Sequence, residues 1–309
     1  MADLLESNFG FGADSSNILA EHVLLTRFGI GITDPKWISI RLSLFKSITL
    51  PGVVSQNTSK LSWFIFVDKS WPSEFISDLL LATQDFDFIK IIKIDFYFEY
   101  SLISEKLIAD SISVFGNCLV SKIDDDDGIS IGCFDKLYEL RGGFFALVFS
   151  NGYEFLCQNR ILKPSCMPFL TMNTHFDMSG LDDLKYLRIG HHRVAEFLFK
   201  ENRKLHVHSE GRFWIYSRHK YSDSRFSAVR KNILENKRSR AIGSADYRNF
   251  SIDFLLLQDF RSKSALFNGV PNEKTWLRQA KLNEEAEFFY KKLLDTKRLI
   301  DEVGSNVIQ

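Results

Sequence analysis

Cysteine, proline and net charge are all scarce in this sequence of 309 residues. There are 4 cysteines and 6 prolines, and 39 Lys and Arg residues balance 39 Asp and Glu residues. The cysteines show no Cys-x-x-Cys spacing and no secretory leader is visible, so we expect reduced thiols in a cytoplasmic protein. A chain without net charge gives no general reason to expect a nucleic-acid partner.

Long apolar runs are also missing. A stretch such as Phe144 to Phe149 is far shorter than the roughly 20 residues that cross a bilayer, so we expect any membrane contact to be peripheral, at the inner face. Residues 1–20 have neither the basic start nor the apolar core of a signal peptide and are predicted to form a loose arm. What the sequence does contain is 45% hydrophobic and 14% aromatic residues, which is ample for a packed core.

Apolar strands alternate with amphipathic helices along the N-terminal part of the chain. Helices are predicted to begin near Pro35, Pro72 and Ser101, and the first is expected to stop at Pro51-Gly52. The alternation predicts an α/β fold with an open, mostly parallel sheet flanked by helices. The predicted strands run from His22 to Thr26, Leu61 to Val67, Phe88 to Ile94 and Leu119 to Ile123.

The pattern changes after Gly128. Phe144 to Phe149 and Tyr153 to Leu156 predict a β-hairpin turning at Asn151-Gly152. From Ser251 onward the sequence is typical of helices, including a long amphipathic one near the C-terminus, from Trp276 to Ile300. We therefore expect a main domain over residues 21–250 and a C-terminal helical extension over residues 251–309.

Four consecutive carboxylates, Asp124 to Asp127, follow the fourth predicted strand and precede Gly128. Like charges this close repel one another unless a cation lies among them, and Mg²⁺ and Mn²⁺ prefer such hard oxygen ligands. Side chains alternate along a strand, so one pair of aspartates could serve a metal while the other faces a ribose or solvent. An acidic, solvated turn explains the same residues equally well.

Polar residues end two other predicted strands as well. Thr26-Arg27 ends the first strand and Asp68 ends the second. In an open parallel sheet the carboxyl ends of the strands lie along one edge, which is where ligands bind. We therefore expect Thr26, Arg27, Asp68 and the four aspartates to lie at the same edge.

Three chemistries use closely spaced aspartates at a strand end. A calcium loop of the EF-hand kind is excluded, because Gly128 falls where an acidic or amide ligand is needed. A phosphatase-like aspartyl nucleophile is an alternative, with Asp125 and Asp127 before the glycine. In haloacid-dehalogenase-like enzymes, however, these aspartates usually follow the first strand, and a threonine stands where this chain has Ile129. The third chemistry is glycosyl transfer from a nucleotide sugar, in which a metal bridges carboxylate and diphosphate.

The chain resembles glycosyltransferases of GT-A type and, more narrowly, the bacterial family of putative rhamnosyltransferases. The resemblance covers roughly residues 20 to 220 and implies a GT-A-like fold. It rests on Thr26-Arg27-Phe28, Trp37 with Arg41 and Leu44-Phe45, Thr49-Leu50-Pro51 with Gln56, Trp63 to Asp68, and Ile123 to Asp127. Two departures stand out: Gly29 replaces an expected asparagine, and Ser217-Arg218-His219 matches a histidine-containing stretch only loosely.

The resemblance implies an enzyme that moves a sugar from a nucleotide-sugar donor to a glycan or lipid-linked glycan acceptor. Thr26, Arg27 and Asp68 are then expected to line the nucleotide pocket, and Asp124 to contact the nucleoside or the metal. The predicted ligands of the metal, Mn²⁺ or Mg²⁺, are Asp126 and Asp127. A phosphoryl-transfer enzyme and a catalytically silent nucleotide- or glycan-binding protein are the alternatives.

An inverting transferase also needs a base for the acceptor hydroxyl. We predict Asp183 for this role from among Asp177, Asp182 and Asp183, although the last two are equally well explained as helix-start residues. The pair His191-His192 is a candidate for binding phosphate or acceptor, or for simple packing. His206 and His208 have no third ligand nearby in the sequence, so they are interpreted as structural.

Overall fold

Two β-sheets with helices packed on them make up the part of the chain that the computed structural model describes, which is residues 19–95, 97–167, 170–189, 193–219 and 226–266. The strands are β1 His22–Phe28, β2 Leu61–Asp68, β3 Ile89–Ile94, β4 Cys118–Lys122, β5 Gly128–Ile129, β6 Ala146–Phe149, β7 Asn151–Leu156, β8 Ile161–Cys166, β9 Thr174–Met178, β10 Leu205–His208, β11 Trp214–Arg218 and β12 Arg240–Ala241. The helices are α1 Pro35–Leu44, α2 Leu50–Val54, α3 Ser73–Thr83, α4 Tyr97–Phe115, α5 Cys133–Leu140, α6 Val194–Lys200, α7 Phe226–Glu235, α8 Ser244–Asn249 and α9 Phe254–Leu266.

The larger sheet has seven strands in the order β10-β6-β9-β4-β1-β2-β3. Strands β3, β2, β1 and β4 run parallel, β9 is antiparallel to both of its neighbours, and β6 and β10 are again parallel to each other. A second sheet, in the order β12-β8-β7-β11-β5, lies beside it. The predicted fold class, an α/β fold with a mostly parallel sheet flanked by helices, is confirmed.

Both faces of β1 and β2 are buried, which explains their largely apolar sequences. All eight residues of β2 are buried. Its alternate side chains enter two separate clusters, with Trp63, Ile65 and Val67 in one and Phe64 and Phe66 in the other. The ends of β1, β2 and β4 are thereby held in register at one edge of the sheet.

The first helix continues past the predicted stop. Asp34 caps α1 by accepting hydrogen bonds from the backbone N–H groups of Lys36 and Trp37. After α1 the chain makes a π-helical turn, Phe45–Thr49, and continues as α2 through Pro51 and Gly52. The prediction of an end at Pro51 was wrong because tertiary contacts compensate for the proline. Pro51 has no N–H for the carbonyl of Ser47, and that carbonyl instead accepts from the backbone N–H of Asp253 at 2.8 Å.

The predicted hairpin at Asn151-Gly152 was also wrong. Strands β6 and β7 follow one another directly but belong to different sheets, and β7 pairs with β8 and β11 instead. Gly152 lies opposite Trp214 in the parallel β7–β11 pair, and a Cβ atom on it would come within 2.1 Å of the Trp214 ring. Close packing, and not a turn, explains this glycine.

Within the predicted C-terminal extension the structure describes one helix, α9. Helix α9 packs against the protein body, where Leu257 and Phe260 are fully buried. The long helix predicted from Trp276 to Ile300 lies outside the described residues. Residues 35–54 form the one described helical segment that is long and apolar enough to cross a membrane, and 78% of its most apolar window is buried within the protein.

Candidate functional site

The candidate site lies at the edge of the sheet where β1, β2 and β4 end. In the parallel register Thr26 pairs with Ile65 of β2, and Leu25 pairs with Lys122 of β4. The chain segments that follow these strands therefore meet at one place, as expected from the polar residues at their ends. The individual side chains nevertheless have different roles.

Asp68 holds a loop in place. Its Oδ2 accepts a hydrogen bond from the backbone N–H of Gly31 at 2.7 Å, and its Oδ1 accepts from the backbone N–H of Ser70 at 2.9 Å. Trp71 adds a further restraint, because its indole N–H donates to the carbonyl of Ile32 at 3.0 Å. Asp68 is buried and thus shapes the wall of the site from behind the loop.

Thr26 faces the interior of the protein. The residue is fully buried, and its hydroxyl accepts a hydrogen bond from the indole N–H of Trp63 at 2.9 Å. Without an acceptor this buried N–H would be left unsatisfied. The structure therefore places Thr26 in the sheet core, behind the pocket that it was predicted to line.

Gly29, which departs from the asparagine expected by resemblance, has a packing reason. Its φ of +60° lies in the left-handed region, and a Cβ atom there would come within 2.5 Å of Trp37 and 3.0 Å of Trp71. Asparagine tolerates the backbone conformation, but its Cβ meets the two indole rings. The two tryptophans thus account for the glycine.

Arg41 is the centre of a buried ionic network. Its Nε and Nη2 donate to the two carboxylate oxygens of Asp125, each at 2.6 Å, and its Nη1 donates to Oδ2 of Asp126, also at 2.6 Å. The side chains of Arg41, Asp125 and Asp126 are only 8%, 4% and 7% exposed. Trp37, one helical turn earlier, places its ring 5.1 Å from the guanidinium carbon. The network thus combines a bidentate ion pair with a stacked aromatic ring.

His219 joins this network from the other sheet. Ile215 of β11 pairs with Gly128 of β5 in an antiparallel register, so the residues after Ile215 run alongside the aspartates before Gly128. His219 Nε2 consequently lies 2.7 Å from Asp126 Oδ2. Burial alone would raise the pKa of Asp126, but Arg41 and His219 outweigh it and hold this pKa below its usual value.

Asp127 lies deeper than its neighbours. It is fully buried, and its Oδ1 accepts a hydrogen bond from the backbone N–H of Ser217 at 2.8 Å. Its Oδ2 has no hydrogen-bond partner within the described part of the chain. Burial raises the pKa of Asp127 well above the usual value, and the charges of Asp126 and Asp124 raise it further.

Asp124 and Arg27 are the more accessible members of the site. Arg27 Nη2 lies 4.0 Å from Asp124 Oδ1, and the two side chains are 40% and 32% exposed. Arg27 also donates to the hydroxyl of Tyr97 and lies over its ring, 5.3 Å from the centroid. Next to them, burial and the charge of Arg27 lower the pKa of Lys122 to about 7, and its ammonium group donates to the carbonyl of Leu187.

A cavity of about 200 Å³ opens between these groups. It has two guanidinium groups, three carboxylates and three aromatic rings on its wall. Its lining residues are Arg27, Gly29, Ile30, Ile32, Trp37, Arg41, Tyr97, Asp124, Asp125, Asp126, Tyr216 and Ser217. Such a wall suits a ligand that is anionic at one place and planar or hydroxylated at another.

The predicted metal ligands do not converge on one cation. Both oxygens of Asp125 and one oxygen of Asp126 are held by Arg41, and Asp127 is turned toward the backbone of Ser217. In the ranges that the structure describes, no three His, Cys, Asp or Glu side chains are grouped to hold a metal ion. The carboxylates of Asp125 and Asp126 therefore fit the guanidinium of Arg41 and do not fit Mn²⁺ or Mg²⁺.

Asp183, predicted as the base, lies at the opposite edge of the sheet. Asp183 follows Met178 of β9, which pairs with Cys118 at the start of β4. The acidic cluster follows Lys122 at the end of β4. At about 3.3 Å per residue, the two ends of β4 are roughly 13 Å apart. Asp183 is buried and accepts from the backbone N–H groups of Ser179 and Gly180, and it pairs with Arg203 at 2.6 Å. This geometry supports the helix-start explanation and leaves Asp183 out of the site.

The other predicted candidates also lie elsewhere. Asp177 is on β9 opposite Leu119, at the same distant edge, and Asp182 is exposed beside Asp183. His206 and His208 stack on each other 6.2 Å apart on β10, consistent with a structural role. The pair His191-His192 falls outside the described residues.

Sequence reasoning missed the two residues that bind the aspartates. Arg41 appeared only as part of a resemblance, and His219 only as a loose match, because neither is near the cluster in sequence. The spacing of Trp37 and Arg41 on one helix face after a capped start was the available signal. This spacing predicts that the two side chains share a helix face, but it does not predict which residues that face contacts.

Several solved structures align with most of the chain at low scores. S. aureus TarS 1-349 has a TM-score of 0.40 and 10% identity, with 80% of this chain and 72% of that chain covered. The WbbM bifunctional glycosyltransferase has a TM-score of 0.34 and 9% identity, covering 84% and 51%. The glycosyltransferase GlyE of Streptococcus pneumoniae TIGR4 has a TM-score of 0.32 and 13% identity, covering 89% and 64%. Scores this low carry no conclusion about function.

A comparison with curated proteins gives no match to the chain. A family model does match. The model described as "Putative rhamnosyl transferase" covers residues 21–198, which is more than half of the chain and includes β1 to β4, the acidic cluster and Arg41. The chain therefore belongs to the putative rhamnosyl transferase family and is a glycosyltransferase.

Proposed function

We propose that the protein transfers a sugar from a nucleotide-sugar donor to a glycan or lipid-linked glycan acceptor, and that the sugar is rhamnose, as the family description suggests. The donor binds in the cavity beside Arg27 and Asp124. The observation that supports this most directly is the cavity wall itself. It brings Arg27 and Arg41 within reach of one ligand at the carboxyl edge of a mostly parallel sheet. Guanidinium groups match the oxygens of a diphosphate in charge and geometry.

The remaining wall residues suit the nucleoside. The rings of Trp37, Tyr97 and Tyr216 offer apolar faces on which a base can lie. The Asp124 side chain is 32% exposed, and carboxylate oxygens of this kind accept hydrogen bonds from ribose hydroxyls. Donor binding in this orientation uses Arg27 for the phosphates and Asp124 for the sugar of the nucleoside.

The phosphoryl-transfer alternative fits the geometry poorly. A nucleophilic aspartate needs an accessible oxygen, yet both oxygens of Asp125 are bound by Arg41 and Asp127 is fully buried. The third possibility, a silent binding protein, shares the cavity and differs only in turnover.

Calorimetric titration with UDP, dTDP and GDP tests donor binding. One nucleotide is expected to bind the wild type, and Arg27→Ala is expected to weaken it by roughly tenfold or more, since a charge-assisted contact to phosphate is lost. Lys60→Ala is the matched control, because Lys60 precedes β2 at the opposite edge and pairs with Glu21. Absence of binding by all three nucleotides would overturn the proposal.

Turnover separates the enzyme from a silent binder. Slow release of nucleoside diphosphate from the matching nucleotide sugar is expected even without acceptor, and no phosphate release from an aryl phosphate. Binding without any release of nucleotide would favour the silent binder, and phosphate release would favour phosphoryl transfer.

We also propose that the reaction takes place in the cytoplasm, with any membrane contact peripheral and at the inner face. The free cysteines Cys118, Cys133, Cys157 and Cys166 support a reducing compartment. Cell fractionation with and without a high-salt wash tests both points, because a peripheral contact is released by salt.

A further inference from the structure

The acidic cluster already contains a cation. Three nitrogens of Arg41 each lie 2.6 Å from a carboxylate oxygen of Asp125 or Asp126, and His219 lies 2.7 Å from the Asp126 oxygen that Arg41 also binds. These oxygens are the ones that a divalent metal between the two aspartates would require.

The guanidinium is fixed in this position. Arg41 belongs to α1, its side chain is 8% exposed, and it lies against the ring of Trp37. Swinging it away would remove the counter-charge that Asp125 and Asp126 share at 4% and 7% exposure, with His219 remaining beside Asp126. A metal entering the site would have to displace a group whose departure is costly.

The charges that a donor diphosphate needs are present on the same wall. Arg41 and Arg27 both line the cavity, and together they carry the two positive charges that one divalent metal would bring. Arg27, at 40% exposure, is the accessible one of the two. Arg41 is the buried one, and the aspartates orient it.

We propose that Arg41, held by Asp125 and Asp126, takes the place of the divalent cation, so that this protein binds its nucleotide donor without a metal. The inference rests on the proposed function for its ligand, a nucleoside diphosphate. It assigns Asp125 and Asp126 a positioning role toward Arg41, in place of the metal ligation that was predicted for Asp126.

The first test measures metal binding alone and needs no nucleotide. Electron paramagnetic resonance of added Mn²⁺ is expected to show no stoichiometric binding site on the wild type. Arg41→Ala removes the guanidinium from the carboxylates, so this variant is expected to show one Mn²⁺ site. Lys46→Ala, which removes one positive charge near the same helix by breaking a pair with Asp78, is expected to gain none. A wild-type Mn²⁺ site that disappears in Asp126→Asn would overturn the inference, whatever happens to Arg41→Ala.

The second test repeats the nucleotide titration in EDTA and in Mn²⁺. Equal affinity, within about threefold, supports the inference, and a loss of roughly tenfold or more in EDTA overturns it while leaving the proposed function intact. If no nucleotide binds in either buffer, the proposed function fails, and the Mn²⁺ titration still decides whether the cluster holds a metal. Arg41→Lys keeps the charge without the bidentate geometry, and weaker nucleotide binding by this variant in EDTA is expected.

Discussion

Arg41 and Asp125, 84 residues apart in sequence, form a bidentate ion pair in which both contacts measure 2.6 Å and neither side chain is more than 8% exposed. Pairs of this kind stabilise little in themselves, because desolvation offsets their attraction. Breaking one is different, since the remaining charge is left buried. The pair therefore makes a sharp prediction about stability.

Arg41→Met is expected to lower the free energy of unfolding by about 3–5 kcal/mol, because Asp125 and Asp126 lose their counter-charge. Adding Asp125→Asn to that variant is expected to recover part of the loss, since one uncompensated charge is removed. Urea denaturation of the single and double variants measures both effects. As a control, Lys46→Met breaks a part-exposed pair with Asp78 and is expected to cost no more than about 1 kcal/mol. Equal losses for the two single variants would contradict the prediction.

Asp68→Ala is expected to loosen the loop that forms one wall of the cavity. The variant removes the acceptor of the Gly31 N–H and of two donors of Ser70, which costs about 1–3 kcal/mol. Nucleotide affinity should fall as well, because Ile30 and Ile32 of this loop line the cavity. Denaturation and calorimetry together check the two effects. Asp95→Ala just after β3 is the control, since Asp95 is exposed and pairs with Lys69 across 3.2 Å. A comparable effect there would count against the loop explanation.

Thr26→Val tests whether Thr26 belongs to the pocket or to the core. Valine has nearly the same shape but no hydroxyl, so the buried indole N–H of Trp63 loses its acceptor, at a cost of about 1–3 kcal/mol. Nucleotide affinity should stay within about twofold of the wild type, well below the tenfold change that a lost polar contact of roughly 1.4 kcal/mol would cause. Unchanged stability together with weaker nucleotide binding would indicate that Thr26 lines the pocket.

Asp183→Asn is expected to lower stability and leave the turnover of the folded protein unchanged. The buried carboxylate pairs with Arg203 and holds the turn at Ser179, so the substitution weakens the turn. The adjacent exposed residue provides the control: Asp182→Asn should alter neither stability nor turnover. Steady-state kinetics and denaturation measure the pair of variants. A fall in kcat of about 10²-fold or more in Asp183→Asn alone is the size expected of a lost general base and would restore that role.

Two buried histidines predict how stability depends on pH. His22 Nε2 and His175 Nδ1 both bond to the hydroxyl of Ser121, at 2.8 Å and 2.7 Å. Burial lowers the pKa of His175 to about 3, and burial together with the charges of His175 and Arg141 lowers that of His22 well below its usual value. Unfolded histidine titrates near about 6.5.

Below that pH the unfolded chain binds protons that the folded chain does not, so the free energy of unfolding falls as the pH drops. Each histidine contributes a slope of about 1.4 kcal/mol per pH unit between roughly pH 6 and pH 4. Denaturation across this range should give a shallower slope for His175→Gln than for the wild type. An identical slope would mean that His175 is not held neutral in the folded state.

The alternation of strands and helices, the start of the first helix near Pro35 and the meeting of three strand ends at one edge could all be predicted from the sequence. These features depend on local periodicity, on a capping residue and on the common direction of parallel strands. They act over short stretches, so neighbouring residues are enough to reveal them. For the same reason the ends of β1, β2 and β4 were expected to lie together, and their parallel register brings them together.

Other features depend on residues that are distant in sequence. The end of the first helix was misjudged because Asp253 supplies the hydrogen bond to Ser47 that Pro51 cannot make. The hairpin was misjudged because Gly152 is required by the ring of Trp214. In both cases a residue with a strong local preference serves a tertiary contact.

The acidic cluster shows the division most clearly. The sequence by itself determined that four adjacent carboxylates repel one another, because repulsion follows from their spacing, and it left a bound cation and a solvated turn equally open. Only the tertiary structure decided which positive charge they receive. Arg41 lies on helix α1, 84 residues before Asp125, and His219 lies directly after β11, 93 residues after Asp126. The repulsion among adjacent carboxylates is a local property of the chain, whereas tertiary packing determines which side chains lie against them.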